Sequence, residues 1–266
     1  MGRYLEFDSN HFDFVTRADF SVRTEYFEEF IWGTTRDKSV YGVTRKTPEV
    51  TVEYSLNGLK FFKYVLGELS GAEAPYTITP ADTLPTADYK ASIDTYVFSV
   101  TSAKVESLEL TVEEGSPVRV EFTARGTNYS TTTGANSYSS DLSVLPLQIH
   151  DVTVNCGGTL TYGRFSLRIV NNLDPEYKTS TLPVRYIERG LEVDGRIRLQ
   201  TWTIPTEGGM TITLGNVGQI ILPKIIWTEI PPRARGWDYP ELELSFRAFA
   251  TDTDPKIKVI ANNDKW

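Results

Sequence analysis

The chain has 266 residues, 40% of them hydrophobic, 23% charged and 12% aromatic, with a net charge of −8 and a pI near 5.0. This composition belongs to a folded protein long enough for one large core or two modest ones, and it is rich in the Val, Ile, Thr and Tyr that favour strands. The acidity excludes phosphate-backbone binding as the main task, which needs clustered Lys and Arg, and no apolar run approaches the ~20 residues of a membrane-spanning helix.

Residues 1–6 show no apolar stretch behind a basic start, so no secretory signal and a soluble product are expected. Residues 1–19 mix aromatic and charged side chains without a clear period and read as an extended arm. A strand is predicted over 20–30, a turn-rich connection over 32–48, and a strand over 49–55, where Val50, Val52 and Tyr54 alternate with Glu49, Thr51 and Glu53. The period then changes. Leu59, Phe62, Val65, Leu66 and Leu69 fall at helical spacing behind the cap candidates Ser55 and Asn57, and Gly67 and Gly71 close the pattern, so one short helix is predicted here.

Residues 69–94 carry Pro75, Pro80 and Pro85 and read as a long loop. Residues 104–112 and 118–124 alternate strictly around Glu113-Glu114-Gly115-Ser116-Pro117, which predicts a hairpin. Residues 126–143 are poor in large aliphatics and read as a loop or flexible boundary. Strands are predicted over 147–154, 164–170, 190–199, 210–214, 219–230, 242–250 and 256–260, with a break at Asn171-Asn172-Leu173-Asp174-Pro175. Pro205, Gly208 and Gly209 argue against a second helix.

The chain repeats itself. Phe20-Ser21-Val22-Arg23 returns as Phe165-Ser166-Leu167-Arg168, residues 49–56 are answered by 192–199, and 118–124 by 242–248. Three collinear matches predict an internal duplication and a mainly β protein of two tandem domains, each a β-sandwich or β-barrel unit, with one short flanking helix in the first. The expected boundaries are 1–126 for the arm and first domain, 127–145 for a linker or long loop, and 146–266 for the second domain.

The chemistry-bearing residues are sparse. His11 and His150 are the two histidines, neither with a metal-binding companion at short spacing, and no Gly-rich loop opens a helix. Cys156 is the single cysteine, which excludes an intrachain disulfide, and its neighbours supply no activating base. Acid pairs such as Glu28-Glu29 and Glu113-Glu114 point to opposite faces in a strand or are solvated in a turn, so they do not form a catalytic cleft. No catalytic residue, cofactor or metal is therefore nominated, and a non-enzymatic role is expected.

Three ordered stretches carry a resemblance. They are residues 102–122, with Lys104-Val105-Glu106-Ser107-Leu108 entering the hairpin, Phe165-Ser166-Leu167-Arg168-Ile169-Val170-Asn171-Asn172-Leu173, and Ile220-Ile221-Leu222-Pro223-Lys224. In these the chain resembles the tail tube proteins of tailed bacteriophages and viruses, departing from them in the helix missing from its second repeat. The resemblance implies a structural virion protein of the tail, assembled in the host cytoplasm. Its subunits would form stacked rings around a tape-measure protein, capped by tail terminator and baseplate or tip proteins, and would pass double-stranded DNA without membrane contact.

With six domain positions and two per chain, a trimer of six-fold appearance is expected. An acidic lining would discourage DNA from sticking to the wall. By alternation alone, Glu109, Arg119, Glu121, Arg125, Glu243 and Arg247 are candidates to face the lumen, the other orientations being outer solvent or another chain. The arm and the 69–94 loop are the candidates for contacts between stacked rings. Two other readings remain at this point: a carbohydrate-binding β-sandwich, for which five Trp and fourteen Tyr offer stacking surfaces, and a baseplate or secretion-system tube subunit of the same fold.

Overall fold

The computed structural model describes residues 4–8, 10–30, 39–93, 95–134, 144–201, 203–229, 232–235 and 239–266. Trp32, Gly33, Trp202, Ile230 and residues 135–143 of the Ser/Thr/Gly-rich stretch lie outside them. In chain order the elements are β1 (Tyr4–Phe7), β2 (Asn10–His11), β3 (Val15–Phe30), β4 (Ser39–Ser55), α1 (Phe62–Leu66), β5 (Gly67–Ser70), β6 (Tyr76–Pro80), β7 (Ala87–Ile93), β8 (Tyr96–Glu113), β9 (Arg119–Arg125) and β10 (Asn128–Thr133). After a 3-10 turn (Ile149–Asp151) come β11 (Val152–Asn155), β12 (Tyr162–Val170), β13 (Leu173–Glu176), β14 (Arg185–Glu188), β15 (Glu192–Leu199), β16 (Gly208–Leu214), β17 (Gly218–Glu229), β18 (Pro232–Arg235), β19 (Tyr239–Phe249) and β20 (Lys258–Ala261). The protein is mainly β with one short helix, as expected.

Eight strands make one continuous antiparallel sheet in the order β3-β4-β9-β8-β12-β15-β19-β17. Alternation decides its two faces. Val50, Val52, Tyr54, Leu108, Leu110, Val112, Val120, Phe122, Phe165, Leu167, Ile169, Ile197, Leu244 and Phe246 are buried on one side, and the intervening polar residues stand on the other.

Two strands leave this sheet to build a second layer. β8 pairs with β9 and β12 over its later part, but over Tyr96–Ala103 it pairs with β7 and β10, and β1 joins β7. β17 pairs with β19 over its later part, but over its opening residues it pairs with β16 and β20, and β11 joins β16. The bend in β8 follows Ser102, at φ 49°, and a bulge after Val105. In β17 it falls at Pro223, between Ile221, still opposite Lys258 of β20, and Lys224, opposite Phe249 of β19. A residue without an N–H is tolerated where a strand changes partners.

The first quartet, β3-β4-β9-β8, and the second, β12-β15-β19-β17, are thus laid out in the same order. Val52 faces Phe122 and Tyr54 faces Val120, as Gly195 faces Phe246 and Ile197 faces Leu244, so two of the three sequence matches fall at the same register. The third does not. Phe20 faces Val50, whereas Phe165 faces Ile197 and it is Ile169 that faces Val193. The Phe20-Ser21-Val22-Arg23 match is displaced by four residues, an even shift that keeps every side chain on its face and leaves the apolar pattern unchanged.

Several local expectations are corrected. α1 runs only from Phe62 to Leu66; Asn57 is no cap, donating instead to Asp13 Oδ2 at 3.1 Å, and Gly67, at φ 114°, turns the chain into β5. Residues 69–94 hold β5, β6 and β7 rather than a loop, and β6 extends the second layer by pairing with β20. The Ser/Thr-rich 128–133 stretch is β10, exposed at every position. His150 lies in the 3-10 turn, not a strand, because Asp151 accepts the Gln148 N–H at 2.8 Å and folds the chain back. The amino-terminal arm is built into its own chain: Leu5, Phe7 and Phe12 are buried, and the Phe7 ring stacks on Phe12 at 4.5 Å and meets Trp266 edge-on at 5.5 Å.

Candidate functional site: the polar face of the long sheet

The eight strands present one charged face, and the six residues picked from the alternation, Glu109, Arg119, Glu121, Arg125, Glu243 and Arg247, all stand on it. The strand register brings further charges beside them. Glu121 lies between Glu53 and Glu109, and Arg168 between Glu109 and Asp194; Arg198 faces Glu243, and Arg247 faces Asp194. Arg164, Arg168, Arg196 and Arg198 on β12 and β15 share this face and carry the same signal in the sequence, since each sits between buried residues.

Opposite charges are interleaved across the face. Arg17 reaches Glu121 at 3.1 Å and Asp19 at 3.0 Å, Arg125 reaches Glu106 at 2.9 Å and Glu49 at 3.5 Å, and Arg247 reaches Glu192 at 2.8 Å. Longer contacts join Arg119 to Glu53 at 3.8 Å and Arg164 to Glu113 at 3.9 Å. Apart from the half-buried Arg125 pairs, these contacts are exposed and worth ~0–1 kcal/mol each, so they set the potential of the surface more than its stability. The acidic film expected to line the tube is not what stands here: this is a lattice of both signs, richer in carboxylates on β4 and β8 and in guanidinium groups on β9 and β12. Burial pushes the Glu106 carboxyl above its ordinary value, against the Arg125 charge that lowers it.

Two shallow hollows open on this face, one lined by Glu53, Glu109, Thr111, Glu113, Arg119, Glu121 and Arg164 and the other by Glu109, Arg164, Arg168, Asp194, Arg196, Arg198 and Glu243. Both are polar, and no histidine or cysteine lines either of them. Among the described residues no cluster of three or more His, Cys, Asp and Glu is arranged to hold a metal. His11 is held below its ordinary pKa by burial, although Glu6 and Asp13 pull upward. Cys156 is buried, donates to the Thr206 carbonyl at 3.3 Å, and has its thiol pKa raised by that burial. Of the tyrosines that could have served a sugar, Tyr54 and Tyr64 pack with Phe12, Phe61 and Phe122 in the core, whereas Tyr26, Tyr96 and Tyr129 are exposed.

What the sequence did not disclose is the part played by Asn171. Its buried amide donates to the carbonyls of Val65, at the end of α1, and Val105, at the bulge of β8, both at 2.9 Å, while Asn172 takes φ 46° and turns β12 into β13. The Asn-Asn step therefore pins the second quartet to the first.

No curated protein matches the chain. A family model described as phage tail tube protein matches residues 28–226, about three quarters of the sequence, from β3 in the first quartet to β17 in the second. A structural protein of the virion tail is the role that accompanies this fold, and the chain belongs to the phage tail tube protein family.

Proposed function

We propose that copies of this chain close into rings that stack as a tail tube around a tape-measure protein, and that the tube later conducts the genome into the host. The observation that carries the reading is the eight-stranded sheet, with its core on one side, charge on the other, and an end strand at each margin that can take a partner. Edge-to-edge addition of such sheets removes the exposed margins that otherwise invite aggregation. Three copies would supply ~24 strands; at a spacing of about 4.8 Å and a tilt of ~40° these close at a backbone diameter of ~50 Å, wide enough for duplex DNA.

The equal strand order of the two quartets supports two duplicated domains, 1–126 and 146–266, joined by 127–145, and hence a trimer with six-fold appearance. In this reading the charged face, with Glu109, Arg119, Glu121, Arg125, Glu243 and Arg247, lines the lumen, because the opposite face is already occupied by the second layer and α1. Interleaved charge of both signs leaves no continuous cation surface to hold phosphates as they pass. Tail terminator and baseplate or tip proteins would close the two ends, and assembly would take place in the host cytoplasm. Negative-stain microscopy of the purified protein, with light scattering on the unstacked fraction, tests this: uniform hollow cylinders and a trimer mass are expected, and a monomer that never assembles would refute it.

A further inference from the structure

β3 is bonded to β4 on one side and to no other described strand. β17 keeps β16 alongside only as far as Ile225, opposite Gly208, so from Ile226 to Glu229 its one strand partner is β19. That edge is nevertheless stoppered. The Trp227 backbone N–H donates to Glu207 Oε1 at 3.1 Å, and its indole N–H to the Pro205 carbonyl at 2.9 Å. A side-chain carboxylate thus stands where the carbonyl of an added strand would accept, a charged guard of the kind that protects sheet edges.

The other quartet shows what such an edge holds when it is filled. Leu108 faces Phe122 in β9 as Trp227 faces Phe246 in β19, and on its far side Leu108 faces Ile169 of β12. Within the quartets, Ala18 faces Val52 where Leu167 faces Gly195, so Phe20 holds the place of Ile169. We propose that the β17 edge is a strand acceptor that Glu207 keeps plugged, and that its occupant is β3 of a second copy, antiparallel, with Phe20 opposite Trp227 and Ser21 opposite Ile226. This rests on the tail tube reading and names the seam that closes its ring. The core faces then continue across the joint, aromatic against aromatic, which is the favourable cross-strand pairing. The same register sets Asp19 against Glu229, a like-charge contact that Arg17, 3.0 Å from Asp19, offsets.

The test uses the full chain with Cys156→Ser. Ser21→Cys combined with Ile226→Cys, on opposite strands within disulfide reach, should give covalent oligomers ending at a closed trimer on a non-reducing gel. Arg23→Cys with Ile226→Cys, two residues out of register, should not. Glu207→Ala should speed tube growth several-fold by light scattering while its circular dichroism stays that of the parent. If cylinders form but the Ser21/Ile226 pair stays uncoupled, or Glu207→Ala grows at the parent rate, the seam is wrong and the tube reading stands; if the parent forms neither rings nor cylinders, both fail.

Discussion

At the residue scale, the side chains that matter most are those whose hydrogen bonds are either complete or missing inside the core. The Asn171 amide serves two carbonyls from two other elements, and removing it leaves both buried without a donor, at a cost of ~1–3 kcal/mol for each group. Asn171→Ala is therefore expected to lower the unfolding free energy by ~2 kcal/mol or more, measured by urea denaturation at unchanged m-value. Tyr54 presents the opposite case. Its hydroxyl is fully buried with no hydrogen-bond partner among the described residues, and burial raises its pKa far beyond the ordinary 10.0. Tyr54→Phe removes that orphan without emptying the space, so a gain of ~1 kcal/mol and a higher melting temperature are expected.

At the scale of elements, the β8–β9 hairpin was legible over 104–124, where Leu108, Leu110 and Val112 alternate against Val120, Phe122 and Ala124 around the Gly115 turn, but the earlier part of β8, from Tyr96, was not. The helix was legible only in part. Leu59 and Leu69 continue the spacing of Phe62, Val65 and Leu66, but Leu59 packs against the Gly218 backbone and Leu69 faces Ile78 in a strand, so three environments in succession imitate one helix. β10 could not be read at all, since a strand exposed at every position carries no alternation. β14 illustrates a contact that no local pattern announces. Its Glu188 accepts from Lys104 Nζ of β8 at 2.6 Å and from the Leu84 N–H at 2.9 Å. Desolvation pushes this carboxyl up, but those hydrogen bonds outweigh it and the net pKa lies below the ordinary 4.5. A depressed folded pKa gives stability that is present above the unfolded value and is lost as pH falls through the folded one. Unfolding free energy should accordingly decline below about pH 4.5, and Glu188→Gln should flatten that decline in denaturation series run across the acid range.

For the whole molecule, the division of the sheet into a charged and an apolar face was written in the sequence, and with it the six residues proposed for the lumen. The register of the matched stretches was not. Two of the three matched stretches occupy the same register, while the displaced Phe20 match shows that similar strings of residues locate a strand in a sheet only to within an even number of steps. The two-layer course of β8 and β17 was not read from the sequence, although the alternation of each slips where it changes sheets, from Val100 to Ala103 and from Val105 to Leu108 in β8, and from Leu222 to Ile225 in β17.

The ladder between β8 and β12 is formed by a single polypeptide. In the proposed ring of three molecules, three of the six joints would therefore be sealed during folding, irrespective of dilution, and only the remaining three would obey mass action. Closure of such a ring would depend on the third power of monomer supply rather than the sixth, which would let a circle complete itself from a scarcer pool.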